Sequence, residues 1–369
     1  MIAFLDHVQA VEEHRVPGMI TYPLDEVLLT VLVGLLCRGE DFDEFEFICA
    51  SEIAWMRKFL PFRDGIAPAQ TQRRVLQALQ PRQLEDAFAR WVASLQGSIR
   101  GVVAIDGKTA RGSKHDASGA DALHVVSAYA HEAGLVLAQR GTTGKGHELA
   151  AITDILDLLE LSGAIVTIDA LGTQKSVADK VIAKGGDYLL ALKGNQPELH
   201  RDVTEFFADL ALGHRCKQHE ETVSGHGRIE LRTCRVDEAG QWLVTRHSDW
   251  KGLRCVAEIT AQRTCKKTGK TSQETRFYIT SLTPDPAQIL AASRAHWSIE
   301  NNVHWLLDVS LREDHNRTRK DQSARNLAMI RRAVLNLAHA DPAKLSIKRK
   351  RLKASLNPHY RNKLITVNH

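Results

Sequence analysis

Gly101-Val102-Val103-Ala104-Ile105-Asp106-Gly107-Lys108 is an apolar run that closes on an aspartate and a turn residue. Its β-branched residues and short length predict a buried strand from Val102 to Asp106, with a turn at Gly107. Leu123 to Ala130 and Leu135 to Gln139 are two further strand-like runs, joined by a turn containing Gly134. Three strands at hairpin distances predict an antiparallel meander. The pattern then alternates. His147 to Leu161 has helical spacing, and Gly163-Ala-Ile-Val-Thr-Ile-Asp169-Ala170 repeats the strand-then-aspartate design of the first run. Thr173 to Lys184 is a helix with Val177, Val181 and Ile182 inward, and Tyr188 to Leu192 is a fifth strand.

The order β-β-β-α-β-α-β is that of the ribonuclease H-like fold, a mixed α/β sheet flanked by helices. Residues 197–284 interrupt it with a helix, Pro197 to Leu212, and with strand-like runs at Arg228 to Val236, Cys255 to Arg263 and Glu274 to Ile279. The core resumes with a helix at Asp285 to Ala292. Residues 1–97 read as a helical domain. Pro23 with Asp25 and Glu26 marks a helix start, and Glu52 to Leu60, Thr71 to Leu79 and Pro81 to Leu95 follow at helical spacing. The expected division is therefore a helical domain at 1–97, a ribonuclease H-like domain at 98–340 with a β-rich insertion, and a basic tail at 341–369.

Hydrophobic residues make up 43% of the 369-residue chain, enough for a sizeable core. The longest apolar stretch, Val27 to Cys37, is too short to span a bilayer and predicts a buried helix. No membrane partner is expected. The six cysteines lack a CxxC pair and read as reduced thiols of a cytoplasmic protein. The net charge of +5 hides an asymmetry. Residues 344–369 contain eight Lys and Arg and no acid, which leaves −3 on residues 1–343. A basic tail on a slightly acidic body suggests a polyanionic partner, most simply nucleic acid.

A third carboxylate joins the two aspartates in His296-Trp-Ser-Ile-Glu300-Asn-Asn-Val-His304-Trp305, where helical spacing puts His296, Glu300 and His304 on one face. Two strand-end aspartates and a helical glutamate make a hard-oxygen site for divalent metal. A zinc site built from all three of His296, Glu300 and His304 is excluded by length, because eight residues of helix separate the histidines by about 12 Å.

The chain resembles the H-repeat-associated transposases of the ISAs1 family, within the wider IS4-like group, over nearly its whole length. The motifs that carry the resemblance are Ala-Ile-Asp106-Gly-Lys-Thr-Ala-Arg-Gly-Ser, Thr-Ile-Asp169-Ala-Leu-Gly-Thr-Gln-Lys, Tyr188-Leu-Leu-Ala-Leu-Lys193-Gly-Asn195-Gln196-Pro, Gly225-His-Gly-Arg228-Ile-Glu-Leu-Arg and His296-Trp-Ser-Ile-Glu300-Asn-Asn-Val-His-Trp-Leu-Leu-Asp308-Val. The resemblance implies a DNA transposase that cleaves insertion-sequence ends and joins them to target DNA. It implies Asp106, Asp169 and Glu300 as the catalytic, metal-holding triad. The implied cofactor is Mg²⁺, with Mn²⁺ able to substitute. The implied partner is double-stranded DNA; a homodimer on DNA is expected from the function alone, because two transposon ends must be joined. Where the wider group places a Tyr and an Arg before the Glu and a Lys after it, this chain holds Ser293, His296 and Leu307.

Phosphate contacts need cations and amides, which makes Lys108, Lys193, Asn195, Gln196, Arg228, His304, Lys348, Arg349, Lys350 and Arg351 the expected DNA-contacting residues. Gly107-Lys108 and Gly194-Asn195 also read as turn dipeptides. Glu148 is either a support for the metal site or a helix first-turn acid. Trp297 and Trp305 are expected in the core rather than on a base. A silent DNA-binding relic and a structure-specific nuclease of the same fold are the alternatives that the sequence leaves open.

Overall fold

The computed structural model describes residues 3–114, 121–142, 144–209, 216–225, 227–238 and 241–366. The N-terminal part is helical: α1 (Ala3–Val8), α2 (Leu24–Leu36), α3 (Phe42–Ser51), α4 (Ile53–Met56), α5 (Ala69–Ala78) and α6 (Pro81–Leu95). Helix α2 is buried from Glu26 to Leu36, as an unbroken apolar run requires. The helix expected over Glu52 to Leu60 shrinks to α4, and α3 precedes it, capped by Asp41, whose carboxylate accepts the Glu44 N–H at 3.0 Å.

The meander follows as β1 (Gly101–Thr109), β2 (His124–Ala130) and β3 (Leu135–Thr142), then α7 (Glu148–Leu158), β4 (Ala164–Ile168), α8 (Lys175–Ala183), β5 (Asp187–Leu192) and α9 (Pro197–Ala208). The expected end of that last helix, 210–212, lies outside the described residues. Strands β1, β2 and β3 pair antiparallel, while β1–β4 and β4–β5 are parallel. The spatial order β3-β2-β1-β4-β5 is that of the ribonuclease H-like sheet.

The insertion extends this same sheet. Strands β6 (Lys217–Gly225), β7 (Arg228–Glu238), β8 (Cys255–Cys265) and β9 (Thr271–Thr280), with α10 (Gln241–Arg246) between β7 and β8, form a meander whose β9 pairs antiparallel with β5. The result is a nine-stranded sheet. After it come α11 (Pro286–His296), a π-helical turn at Glu300–His304, α12 (Trp305–Val309), α13 (Ser323–Ala340), α14 (Ile347–Leu356) and α15 (Pro358–Ile365).

Helix α13 is buried from Asn326 to Ala338 and packs between the N-terminal helices and β3, which joins the two parts in one core. The segment read as a basic tail is folded. Lys350 donates to the carbonyls of Ala338 (2.8 Å) and Asp341 (2.5 Å), and Arg351 to those of Leu35 and Ser310. Arg361, fully buried, pairs with Glu52 at 2.5 Å. Their charges are spent inside the protein, so Lys350 and Arg351 are not available to DNA. Lys348 and Arg349 remain exposed.

Candidate active site

Strand register sets the two aspartates side by side. The parallel ladder between β1 and β4 ends on Ile105 opposite Ile168, so Asp106 and Asp169 are the next residues on neighbouring strands. Asp169 ends its strand and caps the following 3₁₀ turn, where its Oδ1 accepts the N–H groups of Leu171 (3.1 Å) and Gly172 (3.4 Å). Asp106 does not end β1. The strand runs on to Thr109 because β2 continues to pair with it, Asp106 opposite Ser127 and Lys108 opposite Val125. The expected turn at Gly107 is thus absent. Glycine is needed there for another reason: a Cβ at 107 would lie 2.4 Å from His124 Nε2 and 3.1 Å from Glu148 Oε1.

Glu300 sits on the π-helical turn, while Ile299, Val303 and Leu307 anchor that segment in the core. Asp106, Asp169 and Glu300 line one cavity of about 190 Å³ with Lys193, Arg276, His296 and Trp297. Carboxylate oxygens of Asp106 and Glu300 and a ring nitrogen of His304 all lie within 4.8 Å of one another. Burial lifts the Asp106 carboxyl to about 7, and the charges of Asp169, Glu300 and Glu148 push it the same way against the Gly107 N–H. Asp169 is raised too, by burial and by Glu148, with Lys193 acting against them. Four acids therefore converge here, and Glu148 is itself bonded to His124 at 2.6 Å.

Both histidines of the motif are neutral. Burial pushes His296 down to about 4 and His304 to about 3. His296 Nδ1 bonds the Thr167 hydroxyl at 3.1 Å, which leaves His304 as the imidazole beside Asp106, 3.6 Å away. The Nε2 of His304 has no protein partner among the described residues. Carboxylates that raise one another's proton affinity beside a neutral imidazole are a donor set that suits a divalent cation.

The chain belongs to the transposase DDE domain family. The family model matches residues 97–337, and the associated N-terminal model matches residues 5–92. The chain is 34% identical to YncI of Escherichia coli O157:H7, a protein with a transposase name, over 97% of this chain and 93% of that one. It is 30% identical to the H repeat-associated protein YhhI of Escherichia coli strain K12, over 96% of each. Among solved structures it is similar to a piggyBac transposase in a synaptic complex with hairpin DNA, with 9% identity and a TM-score of 0.44 over 99% of this chain and 78% of that one.

The remaining expected contacts of this DDE transposase divide into three groups. Lys193 is exposed at the cavity rim, and Arg228 is exposed at the β6–β7 hairpin. Asn195, exposed, and Gln196, half-buried, are tied to the protein's own backbone: their side-chain amides donate to the carbonyls of Ala170 (2.6 Å) and Thr173 (3.0 Å), which braces the turn that follows Asp169. Lys108 is buried among Asp308 (2.7 Å), Glu313 (3.3 Å) and Asp314 (3.1 Å). Glu313 in turn pairs with the fully buried Arg332 at 3.0 Å. The ammonium expected at a DNA phosphate is instead enclosed by the protein's own carboxylates.

Trp297 and Trp305 are 47% and 56% exposed rather than in the core. Trp297 lies under the Arg276 guanidinium, 4.5 Å from its ring centre, on the wall shared with a second cavity lined by Arg232, Arg263 and Arg294. Sequence reading missed Arg276. Its only signal was the alternation of charges along β9, which gives no hint of a tryptophan twenty-one residues on.

Proposed function

We propose that Asp106, Asp169 and Glu300 are the carboxylates with which this transposase cuts insertion-sequence ends and joins them to target DNA. The observation that carries the reading is the Ile105–Ile168 register, which brings two aspartates level on adjacent strands beside Glu300. The three would hold Mg²⁺, with Mn²⁺ as a substitute, and His304 offers a neutral nitrogen close by. When bound, such ions would activate the attacking water or 3′-hydroxyl and stabilise the leaving oxygen.

The protein's own groups prepare the site. Asn195 and Gln196 fix the Asp169 turn, and the Lys108–Glu313–Arg332 cluster fixes β1 two residues beyond Asp106. Lys193 brings positive charge to the cavity rim for a scissile phosphate, and Trp297, beneath the Glu274-paired Arg276, offers a face on which an unpaired base can stack. The partner is double-stranded DNA. Two ends must be joined, so a homodimer on DNA fits the reaction. Among the described residues no helix is long and apolar enough to cross a membrane, and the bacterial cytoplasm, at the nucleoid, is the location we infer.

The test is incubation of the protein with its element's end DNA and Mg²⁺, followed by mapping of the cut strands. Asp106→Asn, Asp169→Asn and Glu300→Gln should each abolish cleavage while leaving binding near the parent's. Full cleavage by any one variant removes that residue from the site. Binding without cleavage by the parent would mark a silent DNA-binding protein instead.

A further inference from the structure

A cavity of about 620 Å³ lies where the N-terminal helices meet the segment between α12 and α13. Arg73, Arg312, Arg317, Arg319 and Lys320 line it, against the carboxylates of Glu40 and Asp41 only. The segment Arg312-Glu-Asp-His-Asn-Arg-Thr-Arg-Lys320 is sorted by side. Glu313 and Asp314 turn inward to Lys108 and Arg332, while the four cations turn out to solvent. Arg312 bonds Glu40 at 3.3 Å, Arg73 pairs with Asp43, and Arg319 donates to the Gly112 carbonyl at 3.0 Å. Arg317 and Lys320 pair with no carboxylate among the described residues. The second cavity beside Trp297 is different, because each of its arginines has a glutamate partner: Arg232 with Glu230, Arg263 with Glu230 and Glu274, Arg276 with Glu274, and Arg294 with Glu221.

We propose that this groove is a docking surface for the sugar-phosphate backbone of duplex DNA, held without regard to sequence. The inference rests on the transposase reading and names a surface for its partner. Charge complementarity selects the occupant. Arg317 and Lys320, exposed cations that no carboxylate of the described residues pairs with, suit phosphates, and Gln77 and Thr318 add polar groups of the kind that positions a duplex without reading bases.

The groove is also rigidly tied to the catalytic strand. Lys108, two residues beyond Asp106, holds Asp314, and Asp314 accepts the Arg111 N–H at 3.0 Å. Backbone packing is equally close, since a Cβ at Gly112 would stand 2.5 Å from the Asn316 carbonyl oxygen. A duplex seated on Arg317 and Lys320 is thereby held in fixed relation to the carboxylates. Two segments that the family models match separately, the N-terminal helices and the catalytic part, would close on one DNA.

The test is binding of an arbitrary-sequence duplex in EDTA, where no cleavage occurs, measured at several salt concentrations. Each phosphate contact contributes about 0.9 to the slope of log affinity against log salt. The double variant Arg317→Gln/Lys320→Gln should lower the slope by about 1.8, so that a rise from 50 to 200 mM salt costs it roughly twelvefold less affinity than the parent. A charge-matched control, Lys251→Gln/Arg254→Gln on the exposed segment between α10 and β8, at the end of β8 away from Arg228, should keep the parent slope. An unchanged slope in the first variant overturns the proposal, and so does an equal drop in both, which would mean net charge rather than a built surface. Because the readout is metal-free binding, its failure leaves the carboxylate assignment standing, and loss of that assignment leaves this result intact.

Discussion

Asp106→Asn should make the metal-free protein more stable at pH 8 while removing its stabilisation by metal. The native Asp106 carboxyl is raised from 3.8 to about 7, first by burial and then by its acidic neighbours. A raised native value means that the folded state prefers the proton. The associated stability is fully present below the unfolded value near 4 and is lost as pH rises through the native value. Across that window the parent should lose about 1.4 kcal/mol per pH unit, on the order of 4 kcal/mol by pH 8 as an upper bound. Solvent reaches 27% of the side chain, and screening will lower the figure. Asparagine keeps the shape and can still accept the Gly107 N–H, held now at 2.8 Å, but carries no charge.

The gap between variant and parent should therefore be near zero at pH 4 and reach a few kcal/mol at pH 8 in EDTA. Adding Mn²⁺ at a hundred times its dissociation constant should return about 2.7 kcal/mol to the parent and little to the variant. Urea midpoints at the two pH values, with EDTA and with Mn²⁺, read all four quantities. If the variant is less stable than the parent at pH 8 in EDTA, or if the gap is the same at both pH values, burial and acidic neighbours do not destabilise the Asp106 carboxylate. Equal stabilisation of both proteins by Mn²⁺ would place the ion elsewhere.

Lys108→Met should cost about 3–5 kcal/mol, because it removes the ammonium shared by Asp308, Glu313 and Asp314 and leaves Arg332 alone against the buried Glu313, and the loss is read from the urea midpoint. Leu364→Ala, at a fully buried position of α15, should cost about 2–5 kcal/mol, and a chain ended at residue 343 should fail to fold; a truncated protein with the parent's midpoint would show that α14 and α15 are dispensable. Trp297→Ala should weaken binding of DNA with unpaired bases by about 1–3 kcal/mol while leaving the melting temperature unchanged, and unaltered affinity in a titration would return Trp297 to a structural role.

The catalytic half of the fold was legible because burial on both faces forces apolar runs on β1, β4 and β5, and an aspartate closing such a run stands out. What escaped had no such pattern. Strand β6 is polar and almost wholly exposed, and only its ladder to β7 makes it a strand. The insertion was recognised as β-rich, yet nothing local states that β9 adds to the edge of β5. Helix α13 carries Arg331 and Arg332 in the middle of its buried stretch, which breaks the apolar periodicity. The C-terminal helices looked solvated for a related reason. Lys350 and Arg351 donate to buried carbonyls and Arg361 pairs with a carboxylate, and two of the partners, Leu35 and Glu52, lie more than 300 residues away in sequence.

At the site, residue type was readable and partnership was not. Asp106 and Asp169 drew notice because each closes an apolar run, and the family resemblance joined Glu300 to them as the proposed triad, but the sequence gives no sign that His304 approaches Asp106 or that Asn195 serves the Asp169 turn. The segment from Arg312 to Lys320 shows the reason most clearly. Read linearly, its acids and bases alternate closely enough to pass for a solvated loop of mixed charge. Folded, Glu313 is 3% exposed and Arg312, Arg317, Arg319 and Lys320 face solvent, so one short stretch presents a negative face to the core and a positive face outward. Burial sorts the charges, and the burial comes from Lys108 on β1 and Arg332 on α13, which pull the acids in. The sign of this surface is therefore a property of the tertiary fold, fixed by the same ion cluster that anchors the strand bearing Asp106.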